Sequence, residues 1–168
     1  MQIIRDSREQ KGHTFAMCEV DVIVKGLKCG DYTTTLLHNK VAVERKADTA
    51  EIYGNLCNKV SKARFYRELD KLKALDHAIL VFEFPESHLH LFPEKSGLPK
   101  FKDGDYLFPE RKPWWYIKVS AKYLRRCIHE VRDYGINIQF CEDKQSAEDF
   151  IFNYLKNLEA EYERNVST

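Results

Sequence analysis

The stretch CGDYTTTLLHNKVAVERK, residues 29–46, has the pattern of two short strands joined by a turn. Residues 32–37 are rich in Thr and Leu, and residues 41–43 read Val-Ala-Val, so both runs favour β structure. Asp31 enters the first strand and Glu44 ends the second. The stretch therefore predicts a hairpin that brings these two carboxylates to one edge of a sheet.

Two carboxylates and a lysine at such an edge have the composition of a metal-dependent phosphodiesterase site. Mg²⁺ takes oxygen ligands and keeps several of its waters, so Asp31, Glu44 and a substrate phosphate are a sufficient ligand set. Residues i and i+2 of a strand point to the same face, which places the Lys46 ammonium beside Glu44. There it could orient or deprotonate the attacking water and offset the charge that develops on the phosphate. For Glu44 and Lys46 by themselves, the alternative is an ordinary surface salt bridge.

The words Gly-Asp-Tyr and Glu-Arg-Lys occur a second time, at residues 104–106 and 110–112. Only three residues separate these two words, too few for a strand, a turn and a returning strand. Pro109 and Pro113 also flank the second word and remove backbone donors from any ladder. We therefore expect the second copy to be a chance repeat in a loop.

Apolar periodicity predicts the other elements of the chain. Strands are predicted at residues 3–4, 20–27, 78–82 and 136–140, and helices at residues 49–58, 62–75, 120–134 and 146–159. The strands at 20–27, 32–37 and 41–43 follow one another through turns and are predicted to pair in that order as a meander. The succession of elements predicts an α/β fold with a mixed central sheet flanked by helices.

Length and composition bound the class of protein. The chain has 168 residues, of which 43% are apolar and 32% charged, which suits one domain with a real core. No apolar run approaches the length of a membrane span, and residues 1–12 become charged too early for a signal peptide. The five cysteines are scattered without a CxxC pair, so neither a disulfide framework nor a zinc site is expected. These features predict a soluble intracellular protein, in cytoplasm or nucleus, without a membrane partner.

The net charge of +1 does not indicate a nucleic-acid partner, but the distribution of charge is more informative. Residues 59–73 contain six basic side chains and two acidic ones. Within them, Lys62, Arg64, Arg67 and Lys71 recur at spacings that can share one flank of a helix, and we expect them to contact DNA phosphates. The alternative is a helix face that is merely solvated.

Residues 85–116 are predicted to form an irregular insertion, because they contain five prolines and two glycines and show no sustained periodicity. Loops of this length in a compact domain tend to be functional or disordered. Trp114 and Trp115 are adjacent, so one of them would face outward from any strand and could stack on an unpaired base. Packing in the core is the alternative for both rings.

The motifs resemble the nuclease domain of the XPF family of structure-specific endonucleases. The match runs through DSRE at 6–9, GDY at 30–32, VERK at 43–46 and RFYREL at 64–69, followed by the predicted strand AILVFEF. The resemblance implies a restriction-endonuclease-like core that uses Mg²⁺, with Mn²⁺ able to replace it. The residues that it implies at the site are Asp6, Asp31 and Glu44 as metal ligands, Lys46 as the catalytic lysine, and Arg8 and Arg45 as supports of this cluster and of the phosphate.

The chain departs from the family pattern at one position. The family has an aspartate after the three residues that follow the ERK word, where this chain has Ala50. Asp48 lies earlier and Glu51 one position later, so each is a candidate for the third metal ligand. A helix that begins one residue late would point Glu51 toward the metal and leave Asp48 as the N-terminal cap.

The motifs and the resemblance predict a metal-dependent endonuclease that cuts branched or flap-like DNA in repair, recombination or replication. The nuclease domain is expected to span residues 1–160, with residues 161–168 as a disordered tail. The family usually adds a helix-hairpin-helix module, and no sequence signal for one is seen here, so a homodimer or a partner subunit is expected to help grip the DNA. Such a minimal form would suit a phage or viral protein. A catalytically weak or inactive DNA-binding subunit is the alternative, and Ala50 favours it.

Overall fold

Within residues 1–56, 58–93, 96 and 120–166, which the computed structural model describes, six strands form one mixed sheet. In chain order the strands are β1 (Gln2–Arg5), β2 (Asp21–Val24), β3 (Tyr32–Thr34), β4 (Val41–Lys46), β5 (His77–Phe82) and β6 (Asn137–Phe140). Their order across the sheet is β2-β1-β3-β4-β5-β6. The pairs β1–β3 and β3–β4 are antiparallel, and the other three neighbouring pairs are parallel.

Four helices cover the two faces of this sheet in the described part of the chain. They are α1 (Thr49–Leu56), α2 (Lys59–Lys73), α3 (Ala121–Asp133) and α4 (Lys144–Val166). Buried residues of α1, α2 and α3 pack on one face against Ala42, Leu80 and Phe82, whereas α4 packs on the other face against residues that include Tyr32 and Val43. Two separate apolar cores therefore enclose the sheet, and the predicted α/β fold with a mixed central sheet is confirmed.

The predicted meander is wrong in one respect, because β1 lies between β2 and β3. Ile3 and Ile4 of β1 are almost completely buried, whereas three of the four residues of β2 are exposed. A strand that is apolar on both faces is more stable inside a sheet than at its edge. The strand at 20–27 is consequently a short edge strand, and only β3 and β4 form the predicted hairpin.

Local capping signals set the helix ends. The Ser120 side chain accepts a hydrogen bond from the Tyr123 backbone N–H at 3.2 Å, and Gly135 takes a positive φ of 94° after α3, as the sequence predicted. Helix α2 begins earlier than predicted, since the Asn58 side chain accepts from the Ser61 N–H at 2.9 Å and caps it at Lys59.

The end of the chain also differs from expectation, because α4 continues to Val166 and residues 161–166 are helical. Tyr162 packs against the second core, and its hydroxyl accepts a hydrogen bond from the Lys40 Nζ at 2.9 Å. Glu159, near the predicted end of the helix, is buried as well. These contacts stabilise the last turns of α4, where the sequence pattern alone predicted a disordered tail.

Some predictions fall on residues that the structure does not describe. Trp114, Trp115 and the second copy of the two words lie outside the described residues, as does most of the predicted insertion at 85–116. The cysteines at 18, 29, 127 and 141 are free thiols. In the part of the chain described here, no helix is both long and apolar enough to cross a membrane.

Candidate active site

The hairpin of β3 and β4 positions the two carboxylates on which the site prediction rests. Tyr32 pairs with Val43, and the Asp31 N–H donates to the Val43 carbonyl oxygen at 2.7 Å, so one step further along this register Asp31 stands opposite Glu44. Gly30 precedes Asp31 with a positive φ of 73°, and a Cβ there would lie 2.8 Å from that of Ala42. A glycine is therefore needed to deliver Asp31 to this position.

Asp31 is held in an electrostatically costly environment. One of its carboxylate oxygens accepts a hydrogen bond from the Arg45 backbone N–H at 2.7 Å. Burial, together with the neighbouring charge of Glu44, nevertheless raises the pKa of Asp31 to about 8. Two carboxylates that cannot both ionise cheaply are the kind of pair that a cation stabilises.

Lys46 lies on the same face of β4 as Glu44 and is only 6% exposed. Its Nζ is 2.8 Å from Glu44 Oε1 and 3.0 Å from Glu51 Oε1. Burial by itself would lower the pKa of Lys46, but the two paired carboxylates raise it above its ordinary value. The side chain is therefore a charged ammonium at neutral pH, fixed between two acidic residues.

The first turn of α1 separates the two candidates for a third metal ligand. Asp48 Oδ1 accepts a hydrogen bond from the Glu51 N–H at 2.8 Å, which is the predicted capping role. Glu51 Oε2 accepts in turn from the Ala47 N–H at 2.9 Å, while Oε1 contacts Lys46. The structure thus brings Glu51 to the lysine of the site and employs Asp48 at the helix end.

The site offers few protein donors for a hard divalent cation. Among the described residues, no group of three or more His, Cys, Asp or Glu side chains is arranged to hold a metal ion. Asp31 and Glu44 offer oxygen donors alone, which suits Mg²⁺, because this ion keeps several waters and commonly binds through one or two carboxylates. The fit is therefore to Mg²⁺ or Mn²⁺ with water and substrate as the remaining ligands.

Asp6, the other predicted metal ligand, is engaged in the protein itself. It is 1% exposed and accepts hydrogen bonds from the Leu27 N–H at 2.7 Å and from the backbone N–H and the guanidinium of Arg8 at 2.7–2.9 Å. The hydrogen bonds with the Arg8 side chain lower the pKa of Asp6 to about 2, although burial by itself would raise it. Its role as a ligand stays a prediction, and these bonds favour a structural role in joining the loop after β1 to Leu27.

Arg45 contributes to the site through its backbone, while its side chain points to the opposite face of the sheet. The guanidinium is 5% exposed and lies 2.8 Å from Glu83 Oε2 and 3.1 Å from Glu9 Oε1. Glu83 Oε1 is in turn 2.9 Å from His13 Nε2. The predicted contact of Arg45 with phosphate does not fit this position, because the strand alternation that brings Glu44 and Lys46 together turns Arg45 away.

Sequence reasoning missed the residues that surround Arg45. Glu9 belongs to the DSRE word and Glu83 directly follows β5, but neither was singled out. Burial by itself would raise the pKa of Glu83, whereas the His13 and Arg45 side chains beside it hold it below its ordinary value. The available signal was the alternation of VERK, since a buried arginine needs carboxylates; Glu83 directly follows the neighbouring strand β5, and Glu9 lies in the loop after β1.

The four predicted DNA-binding residues of α2 do not share one flank. Lys62 faces α3, with its Nζ 2.9 Å from Glu130 Oε2, whereas Lys71 pairs with Glu68 at 2.9 Å. These lysines are nine positions apart, about two and a half helical turns, so they project in opposite directions. Arg64 and Arg67 are exposed and have no ion pair with any residue that the structure describes. Of the four predicted residues, Arg64, Arg67 and Lys71 therefore remain on one flank of α2.

The chain is similar to known nuclease-family proteins over most of its length. The model of the ERCC4 domain matches residues 5–154. The structure of XPF from Aeropyrum pernix superposes with a TM-score of 0.61 at 19% identity, covering 99% of this chain and 69% of that one. For XPF from Aeropyrum pernix in complex with DNA the TM-score is 0.58 at 20% identity, covering 95% of this chain and 65% of that one. A comparison with curated proteins gives no match. At these identities the likeness to the solved structures shows a shared fold.

Replacing Asp6 by Asn is expected to lower the free energy of unfolding by about 2–4 kcal/mol near neutral pH, because buried donors lose a charged acceptor. The pKa of Asp6 is lower in the folded chain than its ordinary value of 3.8, so its stabilisation is present above that value and is lost as the pH falls toward 2. The free energies of unfolding of wild type and Asp6→Asn, measured by urea denaturation, should therefore become equal as the pH falls toward 2. The exposed Asp21→Asn is the control, and equal stability of Asp6→Asn and wild type near neutral pH would contradict the structural role.

Proposed function

The chain belongs to the ERCC4-domain family, the XPF nuclease family, and we propose that it is a metal-dependent DNA endonuclease that acts on branched or flap-like DNA. The observation that carries the proposal is the placement of Asp31 opposite Glu44, with the Lys46 ammonium 2.8 Å from Glu44. Carboxylates and a lysine in this arrangement suit hydrolysis of a phosphodiester bond. Repair, recombination or replication of DNA would supply such substrates.

Asp31 and Glu44 are the residues that would hold Mg²⁺ or Mn²⁺, and Glu51 is the proposed third carboxylate. A bound divalent ion supplies a Lewis acid and lowers the pKa of a coordinated water. Because burial beside Glu44 raises the pKa of Asp31, its carboxyl group would release a proton if it were to hold a cation. The Arg45 N–H then keeps the carboxylate in a fixed orientation.

Lys46 is proposed to stabilise negative charge on the reacting phosphate. Its raised pKa argues against the alternative role of a general base, because the ammonium does not release its proton easily. Glu44 and Glu51 hold the ammonium in place before the substrate binds, so little reorganisation is needed. Asp6 and Arg8 are assigned a positioning role, since they join the loop that follows β1 to the segment that precedes Asp31.

DNA is the proposed partner, and Arg64, Arg67 and Lys71 are the residues proposed to contact its phosphates. The solved complex of XPF from Aeropyrum pernix with DNA supports this partner through the shared fold. Base stacking by Trp114 and Trp115 stays a prediction from the sequence. A homodimer or a partner subunit would extend the grip on DNA.

Ala50 supports a second candidate function, that of an inactive DNA-binding subunit. It stands where the family pattern has an aspartate, so the metal site depends on whether Glu51 takes its place. This candidate predicts binding of branched DNA without cleavage in either Mg²⁺ or Mn²⁺.

Glu44→Gln is expected to reduce cleavage of a flap substrate by about 100-fold or more, because it removes a ligand charge while keeping the size of the side chain. Cleavage should be followed in Mg²⁺ and in Mn²⁺ at matched concentrations, with thermal unfolding as the measure of intact folding. Glu110→Gln, in the second copy of the sequence word, should cut at the wild-type rate. Cleavage that survives in Glu44→Gln and is lost in Glu110→Gln would reject the assigned site.

The proposed third ligand gives a separate test. Glu51→Gln should weaken binding of Mn²⁺ and slow cleavage, whereas Asp48→Asn should mainly lower stability, by about 1 kcal/mol or less, because Asn is also a good cap. Calorimetric titration with Mn²⁺ in the absence of DNA separates the two effects. The opposite ranking would assign the third carboxylate to Asp48.

The phosphate contacts can be tested by the salt dependence of DNA binding in EDTA, where no cleavage occurs. The logarithm of the affinity falls linearly with the logarithm of the salt concentration. In an Arg64→Ala, Arg67→Ala double variant this slope should be shallower by roughly one unit for each lost contact. Lys62→Ala is the matched control on the same helix, because its partner is Glu130, and its slope should equal that of wild type. Equal slopes for the double variant and wild type would mean that this surface is only solvated.

A further inference from the structure

A cavity of about 450 Å³ lies on the face of the sheet that carries the carboxylate pair. Its wall includes Thr33 of β3 and Ala42 of β4, each two residues along its strand from Asp31 and Glu44. Side chains two residues apart share a face, so the cavity continues the surface that carries the site. The short side chains of Thr33 and Ala42 leave space where longer ones would fill the gap beneath α2.

The chemistry of the wall varies from one end of the cavity to the other. Lys28 and Lys71 contribute positive charge beside Cys29, whose thiol lies 3.8 Å from the Lys71 carbonyl oxygen and close enough to Glu44 to feel its charge. His38 and Asn39, from the turn between β3 and β4, line the cavity near Val41. At about 3.3 Å per residue, Val41 is roughly 10 Å from Glu44 along β4.

The two lysines are available to a ligand. Lys28 is exposed and forms no ion pair with any residue in the described part of the chain. Lys71 pairs with Glu68, but both side chains are about half exposed, and such a pair contributes little and is easily exchanged for a phosphate. The cavity thus has a cationic end beside the carboxylates and a less polar end with an imidazole and an amide.

We propose that this cavity binds one unpaired nucleotide next to the phosphate that is cut. Lys28 and Lys71 contact the phosphate of this nucleotide, and its base lies over Ala42 and Leu75 toward His38 and Asn39. The volume lies within the usual range of about 300–1,000 Å³ for small-ligand sites. The inference rests on the proposed nuclease function and adds the feature of DNA that the same site recognises.

A base in a duplex is stacked and paired, so entry into a cavity of this kind costs free energy that an unpaired base does not require. A nucleotide at a branch point or in a flap can enter without this cost. The cavity would therefore select junctions through the nucleotide beside the cut, without reading a sequence. Positively charged and apolar walls together suit a nucleotide better than a purely apolar ligand.

The test measures binding of a flap duplex in EDTA, with the first, second or third unpaired nucleotide replaced in turn by an abasic site. In wild type, removal of the base at one of these positions should weaken binding about tenfold, as expected for loss of one base contact. The same position, when substituted by 2-aminopurine, should change its fluorescence on binding.

Ala74→Phe, at the residue that caps the C-terminal end of α2, places a ring at the wall of the cavity, and Ala63→Phe, at an exposed alanine within α2, is the matched control. Ala74→Phe should bind the intact and abasic flaps equally, whereas Ala63→Phe should keep the difference. Lys28→Gln, at an exposed site, should weaken binding of the flap but not of a fully paired duplex.

Failure of the nucleotide site and failure of the proposed nuclease function give different results in this experiment. Flap DNA that wild type binds equally well with and without each base, or a difference that persists in Ala74→Phe, overturns the nucleotide site and leaves the proposed nuclease untouched. If wild type binds no flap DNA at all, the proposed function itself falls, and the nucleotide site with it.

Discussion

Two hydrogen bonds of 2.7 Å between Asp31 and β4 determine the rest of the site. The Asp31 N–H donates to Val43, and the Asp31 carboxylate accepts from the Arg45 N–H. Together they fix the register of the hairpin, and a slip by one residue would exchange every side chain of β4 between the two faces. In the register observed, Glu44 and Lys46 meet α1 and α2, while Arg45 enters the opposite side.

The same geometry makes the site costly to the fold. Burial beside Glu44 raises the pKa of Asp31 to about 8, and the buried Lys46 ammonium depends on its carboxylate partners. Perturbed groups of this kind concentrate where a protein binds charge or performs chemistry. Structural pairing alone would account for Lys46 with Glu44 and Glu51, but it leaves the destabilised carboxyl of Asp31 without a function.

The opposite face of β4 supports this arrangement with a buried ionic network. Arg45 joins Glu9 from the loop after β1 to Glu83 at the end of β5, and His13 lies against Glu83. Removal of one member would leave a buried charge without its partner, which is far more costly than the pair is stabilising. The DSRE and VERK words therefore belong to one structure, because Glu9 of the first pairs with the Arg45 guanidinium of the second.

The sequence by itself determined the hairpin, the helices and the grouping of Asp31, Glu44 and Lys46, because turn residues and the strand period of two act over a few neighbouring positions. Only the tertiary structure decided that β1 enters between β2 and β3, that Arg45 faces Glu83, and that Lys62 of α2 pairs with Glu130 of α3. The cavity beside the site is likewise a tertiary feature, since its walls come from a strand pair, a turn and the end of α2. Such contacts join residues far apart in the chain. Which of them form depends on how much surface each alternative packing buries, and a local sequence pattern carries no information about that surface.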